Sequence, residues 1–410
     1  MTTDDPTVRT ATVTTETHHA GVSERRPMTW HRAAWYGVGA FVISRMCVLA
    51  GAGVRAAQLV VDAEEAGQPR PKNAVGFITE VLLSWDGRWY LDIVRHGYPH
   101  SIPPNITYEQ SEARAAFFPV YPLTVRLVDA IAPGGDTIAA LFVNFVLALV
   151  AMLLIGRLAL RLTDDAEVAA RAMVIFAVFP GSFVLSFAYA EAALIALCAA
   201  CLLLLLDERW VLAGLVGALA TATRPNGVAI VAACAVASFI AIRQRRDWMS
   251  LAAPLLSPIG FVAFQAFLRH HTDESWPWFR VQREAWREGT SFGATAVRNT
   301  ISFLGSPLAS PTDVLTVATM IAMFGVLWCA WRHPLPLPLL AYVVVVIALM
   351  LLPATVTARP RFLFTAFPLV IPVATWWSHR DRIGWELTLV ACGAGLATLT
   401  ALYGVFGAIP

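Results

Sequence analysis

Long apolar runs separated by short charged or aromatic stretches set the pattern of this chain. The first run, residues 33–61, exceeds the roughly 20 residues that a spanning helix needs and lacks the small-residue cleavage site of a signal peptide, so it reads as a true first span. Further runs follow at 137–160, 166–179, 189–206, 211–241, 251–268, 314–331, 335–352, 362–377 and 386–406. Arg224-Pro225-Asn226-Gly227 interrupts the 211–241 run with a helix stop and a turn, which predicts two short helices there. Residues 117–132 are shorter and carry Pro119, Pro122, Arg126 and Asp129, as a re-entrant or interface-lying helix would. The expected fold class is an all-α polytopic membrane protein of about eleven transmembrane helices.

Arginine placement orients these runs. Arg25, Arg26 and Arg32 precede the first span, Arg157 and Arg161 close the second, and Arg209, Arg243, Arg245, Arg246, Arg332, Arg380 and Arg382 fall at alternate ends of those that follow. The positive-inside rule then puts the N-terminus in the cytoplasm and two loops, about 62–136 and 270–310, outside a plasma membrane. The first loop is the larger and is expected to carry interfacial helices. Residues 1–28, rich in Thr, Asp, Glu and His without apolar periodicity, are expected to be a disordered cytoplasmic tail, with 29–410 a single membrane domain.

Composition agrees with this reading. The chain is 57% hydrophobic and 14% charged, against about 25% charged in soluble domains. A net charge of +2 points to no nucleic acid and no acidic partner. All six cysteines sit inside apolar runs, without disulfide or metal-ligand spacing, and read as small core residues.

Chemistry is concentrated in the first external loop, at Trp85-Asp86-Gly87-Arg88-Trp89-Tyr90, then His96-Gly97-Tyr98, then Phe117-Phe118-Pro119-Val120-Tyr121-Pro122. Drawn as a helix, residues 85–96 place Arg88, Asp92, Arg95 and His96 on one face, with Asp92 spaced to pair with Arg88 and Arg95. Asp86 projects instead toward Tyr90 and Ile93, where no partner is evident; its alternative role is N-cap of a helix beginning at Gly87. Arg224, Arg359 and Arg361 reach the same external face. They are either snorkelling anchors or, since guanidinium is the preferred binder of phosphate, a site for a phosphate-bearing substrate. Tyr189 and Glu191 are helix-start residues or part of that site, and Tyr98 and Tyr121 are belt aromatics or sugar-stacking rings. In the second loop Trp276, Trp278, Phe279 and Trp286 accompany Arg280, Arg283 and Arg287 on one helical face, a pattern suited to membrane lipid headgroups or a lipid-linked donor.

The motifs of the first loop, with Pro180-Gly181-Ser182-Phe183, Ser186, Tyr189 and Glu191 and then Thr223-Arg224-Pro225-Asn226-Gly227, resemble in order and spacing the PIG-V-type mannosyltransferases of the GT-C glycosyltransferase superfamily. The resemblance covers residues 85–227 and continues weakly to Arg361-Phe362. It implies a GT-C-like membrane glycosyltransferase that transfers a sugar, usually mannose, with inversion from a polyprenyl-phosphate donor. Asp86 falls on the position of the catalytic acid in the first external loop, as general base. Arg88, His96, Tyr98, Tyr121, Tyr189, Glu191, Arg224, Asn226, Arg359 and Arg361 are the candidate substrate-binding residues. The acceptor is expected to be a glycolipid or glycan. No cofactor and no obligatory metal are expected, because arginines can stabilise a phosphate leaving group. Transfer of another sugar, a lipid-linked sugar flippase with broken helices at its centre, and an inactive scaffold subunit are the competing readings.

Overall fold

The computed structural model describes Thr2 and residues 28–67, 74–107, 109–377 and 382–405. Apart from Thr2 and Met28, the tail expected over 1–28 lies outside the described residues. Among these residues the regular elements are helices, with one isolated antiparallel bridge between Thr290 and Pro353. The chain is a polytopic membrane protein. Among the described residues, six helices are long and apolar enough to cross a membrane: Trp30–Glu65, Gly135–Thr163, Pro225–Arg245, Trp248–Thr272, Pro311–Arg332 and Arg382–Tyr403. Ala166–Val178 and Pro180–Ser186 form a further candidate span bent by 75°, and Glu191–Leu206, Trp210–Thr221, Leu337–Leu351 and Phe367–Trp377 are shorter apolar helices.

Local chemistry explains where these helices start and stop. Asp165 caps Ala166–Val178 by accepting from the N–H groups of Glu167 and Val168, and Ser310 caps Pro311–Arg332 with proline in its first turn. Pro225 ends the Trp210–Thr221 segment, and Ala229–Arg245 resumes after a single tight turn. Gly135–Thr163 packs against Ala166–Val178 and Glu191–Leu206, Trp30–Glu65 against Ala166–Val178 and Arg382–Tyr403, and Ala229–Arg245 against Leu337–Leu351. Small residues make these approaches possible: a Cβ on Gly51 would lie 2.2 Å from the Ala397 carbonyl oxygen, and one on Gly260 would lie 1.8 Å from that of Ala218.

The two loops expected outside fold into short helices over one end of this bundle. Asp86–His96, Val120–Asp129 and Pro277–Glu284 enclose a second apolar core of Trp89, Tyr90, Phe117, Phe118, Tyr121, Phe264 and Val281. The basic helix of the second loop is shorter than its arginine spacing implied. It ends at Glu284, and Arg287 adopts φ +50°, so Arg280, Arg283 and Arg287 do not share one helical face. Arg280 is tied to Glu274, Glu284 and the Pro104 carbonyl, which makes it a staple between the loops.

Candidate active site

Four separate segments meet around Asp86. Trp85 has φ +57° and ψ −126°, unusual for a residue with a side chain, and its indole N–H donates to the Tyr403 carbonyl at 2.8 Å. This sharp entry makes Asp86 the first residue of the Asp86–His96 helix and not its cap. Its backbone N–H donates to the Tyr189 hydroxyl oxygen at 3.1 Å, satisfying one of the four free donors of a helix start. Tyr189 donates in turn to the Ser84 carbonyl at 3.1 Å and is hydrogen-bonded to the Tyr403 hydroxyl, which accepts from Arg361 Nη1 at 3.1 Å. With one proton per phenol, the chain runs in one direction from Arg361 through Tyr403 and Tyr189 to the Ser84 carbonyl.

The Asp86 side chain therefore has partners that its own helix cannot supply. Its Oδ2 lies 3.5 Å from both terminal nitrogens of Arg224 and 3.4 Å from Arg361 Nη1. Glu191 Oε2 is closer to Arg224, at 2.8 Å, and its side chain is only 1% exposed against 16% for Asp86. Charge-assisted bonds are strongest near about 2.7–2.9 Å. Glu191 is thus the fixed counter-ion of Arg224, and Asp86 is the loosely held, more accessible carboxylate of a charge-balanced group of two acids and two arginines. Two polar atoms in the same neighbourhood, Arg361 Nε and Asn226 Oδ1, are buried with no hydrogen-bond partner among the described residues. The Tyr90 ring packs edge-on against Phe117 and Tyr121, and burial raises its hydroxyl above the ordinary phenol range, opposed by the charge of Arg224.

Two residues position the backbone behind this cluster. A Cβ on Gly181 would lie 2.3 Å from the Pro360 carbonyl oxygen, so glycine there lets the Pro180–Ser186 turn press against the five-residue helix that carries Arg361. Arg45, buried within the first long helix, braces the same turn. Its Nη1 donates to the Ser182 carbonyl at 2.8 Å and the Ser186 hydroxyl at 3.0 Å, and its Nη2 to the Ala177 carbonyl at 3.1 Å and the Ser182 hydroxyl at 2.9 Å.

The candidate residues divide accordingly. Asp86, Tyr189, Glu191, Arg224 and Arg361 come together, with Asn226 Nδ2 3.5 Å from the Thr365 hydroxyl one turn past Arg361. Arg359 does not join Asp86: its Nη1 donates to the Thr316 hydroxyl at 2.7 Å, and burial, aided by the charge of Arg361, pushes its guanidinium down to about 10. Tyr98 and Tyr121 donate to the carbonyls of Phe117 and Ala140, at 2.8 and 3.1 Å. His96 is exposed at the far end of the helix, about 15 Å from Asp86 at 1.5 Å per residue. With Tyr98, His100, Arg126 and His271 it lines a separate cavity of about 270 Å³. Arg88 lies 3.8 Å from Glu80. The pairing expected for Asp92 within its own helix is replaced: Asp92 binds Arg114 at 3.1 Å and His96 at 2.8 Å, while Arg95 binds Asp136. A helical projection sees only its own helix, and the 114–116 turn delivers a better-placed guanidinium. Tyr403 and Arg45 are not legible from the motif pattern of the sequence, and Tyr90 is legible only as a member of the Trp85–Tyr90 motif. Outside the motifs Arg45 carries the clearest signal, an arginine in the middle of an apolar run.

Among the described residues, no group of three or more His, Cys, Asp or Glu side chains is arranged to hold a metal ion. The model of glycosyltransferase family 87 matches residues 117–354, more than half of the chain. The chain belongs to glycosyltransferase family 87. Glu191 and Arg224 lie inside the matched region, Asp86 precedes it, and Arg361 follows it by seven residues. Among solved structures, the Archaeoglobus fulgidus oligosaccharyltransferase tethered to an acceptor peptide is similar at a TM-score of 0.43 and 14% identity, over 93% of this chain and 56% of that one. The present chain thus spans little more than half the length of that protein. No curated protein matches.

Proposed function

We propose that this family 87 glycosyltransferase is a GT-C-type enzyme that transfers a mannosyl residue from a polyprenyl-phosphate donor to a lipid- or glycan-linked acceptor on the extracytoplasmic face, with inversion and with Asp86 as general base. The observation that carries the reading is the unequal holding of two carboxylates by the same guanidinium, 2.8 Å for Glu191 and 3.5 Å for Asp86. An incoming phosphate competes for Arg224 and Arg361 and displaces the weaker ligand. Asp86 is then freed beside the anomeric carbon to take the proton of the acceptor hydroxyl as that oxygen attacks. The bond from the anomeric carbon to the phosphate oxygen breaks, and the polyprenyl phosphate departs with the electron pair, its charge met by the two arginines. The unsatisfied Nε of Arg361 offers one more donor for it. An apolar cavity of about 160 Å³, lined by Leu363, Phe364, Phe367 and Trp377 beside the Arg361 helix, supports a lipid-linked donor over a free sugar phosphate.

The test is transfer from labelled polyprenyl-phosphate-mannose in membranes containing the protein, with polyprenyl-phosphate-glucose and a nucleotide sugar in parallel. Label should pass to a glycolipid or glycan from the mannosyl donor alone. Transfer from the nucleotide sugar only would remove the phosphate-lipid reading, and preference for glucose would change the sugar but keep the mechanism.

A further inference from the structure

Residues 286–295 of the second loop are tied to both sides of the Asp86 cluster. On one side, the Trp286 ring centroid lies 5.8 Å from those of Trp89 and Phe117, on and beside the helix that begins at Asp86. On the other, the segment is laced to residues 351–355, which lead directly into Arg359 and Arg361. The N–H groups of Ser291 and Gly293 donate to the carbonyls of Leu352 and Leu351, at 2.8 and 2.9 Å, and Ala354 N–H donates to the Gly289 carbonyl at 2.9 Å. The hydroxyls of Ser291 and Thr295 donate to the carbonyls of Pro353 and Ala354, both at 3.0 Å. Glu288 closes this lacing. Its Oε1 accepts from the N–H groups of Ala354 and Thr355, at 2.9 and 3.2 Å, and its Oε2 from the Thr355 hydroxyl.

Beyond that clamp the chain has little regular structure of its own and is held by packing, with Pro360 against Gly181 and Arg359 bonded to Thr316. Ala358 sits at φ +20°, a strained value that persists only where the surroundings impose it. The helix carrying Arg361 has five residues, Pro360–Phe364, too few to be stable alone.

We infer that residues 286–295 form a strap that sets Arg361 against Asp86, and that Glu288 is its positioning residue. Glu288 touches neither arginine; it acts by anchoring the peptide from which they project. The effect on catalysis rests on the proposed donor-phosphate role of Arg361, whereas the mechanical effect does not.

The experiment compares the full-length protein with its Glu288→Ala and Glu288→Gln variants in lipid nanodiscs, reading hydrogen exchange over 356–366 and donor kinetics. This window excludes the amides that Glu288 binds directly. Glu288→Ala should exchange about tenfold faster there and lower kcat/KM for the donor by about tenfold, with both a raised KM and a lowered kcat, as expected for loss of a charged hydrogen-bond anchor behind a group that binds the leaving phosphate. Glu288→Gln keeps an acceptor oxygen and should restore both. Unchanged exchange over 356–366 in Glu288→Ala overturns the strap whatever the kinetics. So does faster exchange spread through the whole chain, which marks a general folding defect. Localised faster exchange in a protein whose wild type uses no polyprenyl-phosphate sugar supports the strap and removes the donor reading instead.

Discussion

Arg45 and the pair Arg224 and Arg361 are satisfied in opposite ways. Arg45 meets only neutral acceptors, two carbonyls and three serine hydroxyls, with its closest bonds between 2.8 and 3.1 Å. Arg224 and Arg361 meet carboxylates and a phenol, with Asp86 held at 3.4–3.5 Å and a spare donor on Arg361. A guanidinium saturated by fixed neutral dipoles cannot exchange partners without leaving them bare, and each such buried loss costs about 1–3 kcal/mol. One held by an accessible carboxylate can accept another anion in its place. The first arrangement braces a turn; the second is suited to binding and release.

The sharpest way to break this contrast is Asp86→Asn. The amide keeps the size of the side chain and an oxygen for the arginines, so folding should persist, while the rate should fall by about 100-fold to 10,000-fold through loss of the base. Matched expression with near-normal turnover would sink the assignment. Arg45→Met tests the other pole. It should lower stability by about 2–5 kcal/mol, read as a reduced unfolding midpoint in detergent, because the Ser182 carbonyl loses the guanidinium and the Ala177 carbonyl keeps only the Ser182 hydroxyl. The surviving folded fraction should keep the wild-type donor KM; a changed KM with normal stability would mean that Arg45 belongs to the binding site.

Arg361→Lys keeps the charge and removes the planar fork. Donor KM should rise by about tenfold, the equivalent of one charged hydrogen bond, and an unchanged KM would shift the phosphate site to other basic groups. Asp92→Asn should have the smallest effect. Its contacts with Arg114 and His96 sit at the edge of the loop, and their loss should cost about 1 kcal/mol of stability with turnover nearly unchanged. Abolished turnover in Asp92→Asn beside an active Asp86→Asn would exchange the roles given to the two aspartates.

Much of the candidate site is legible at the level of residues. Asp86, Glu191, Arg224 and Arg361 stood out because ionisable groups and helix breaks in an apolar chain need a reason. Their pairings were not legible: Asp86 looked stranded because its partners lie 138 and 275 residues away. Tyr403 is illegible for the same reason, one phenol in the last apolar run whose partners, Tyr189 and Arg361, come from other segments. Nearness in sequence groups Arg359 with Arg361, yet the proline between them and the extended backbone at Arg359 send its side chain to Thr316.

The sequence by itself determined the apolar helices and their breaks, because run length and proline act locally and a helix satisfies its own backbone inside a membrane. Tertiary structure alone decided which charges meet. The reach of a guanidinium is a few ångströms, and whether a carboxylate lies within it depends on how helices distant in the chain pack. At Gly181 that packing is so close that a single added carbon would collide with the carbonyl of Pro360, the residue before Arg361.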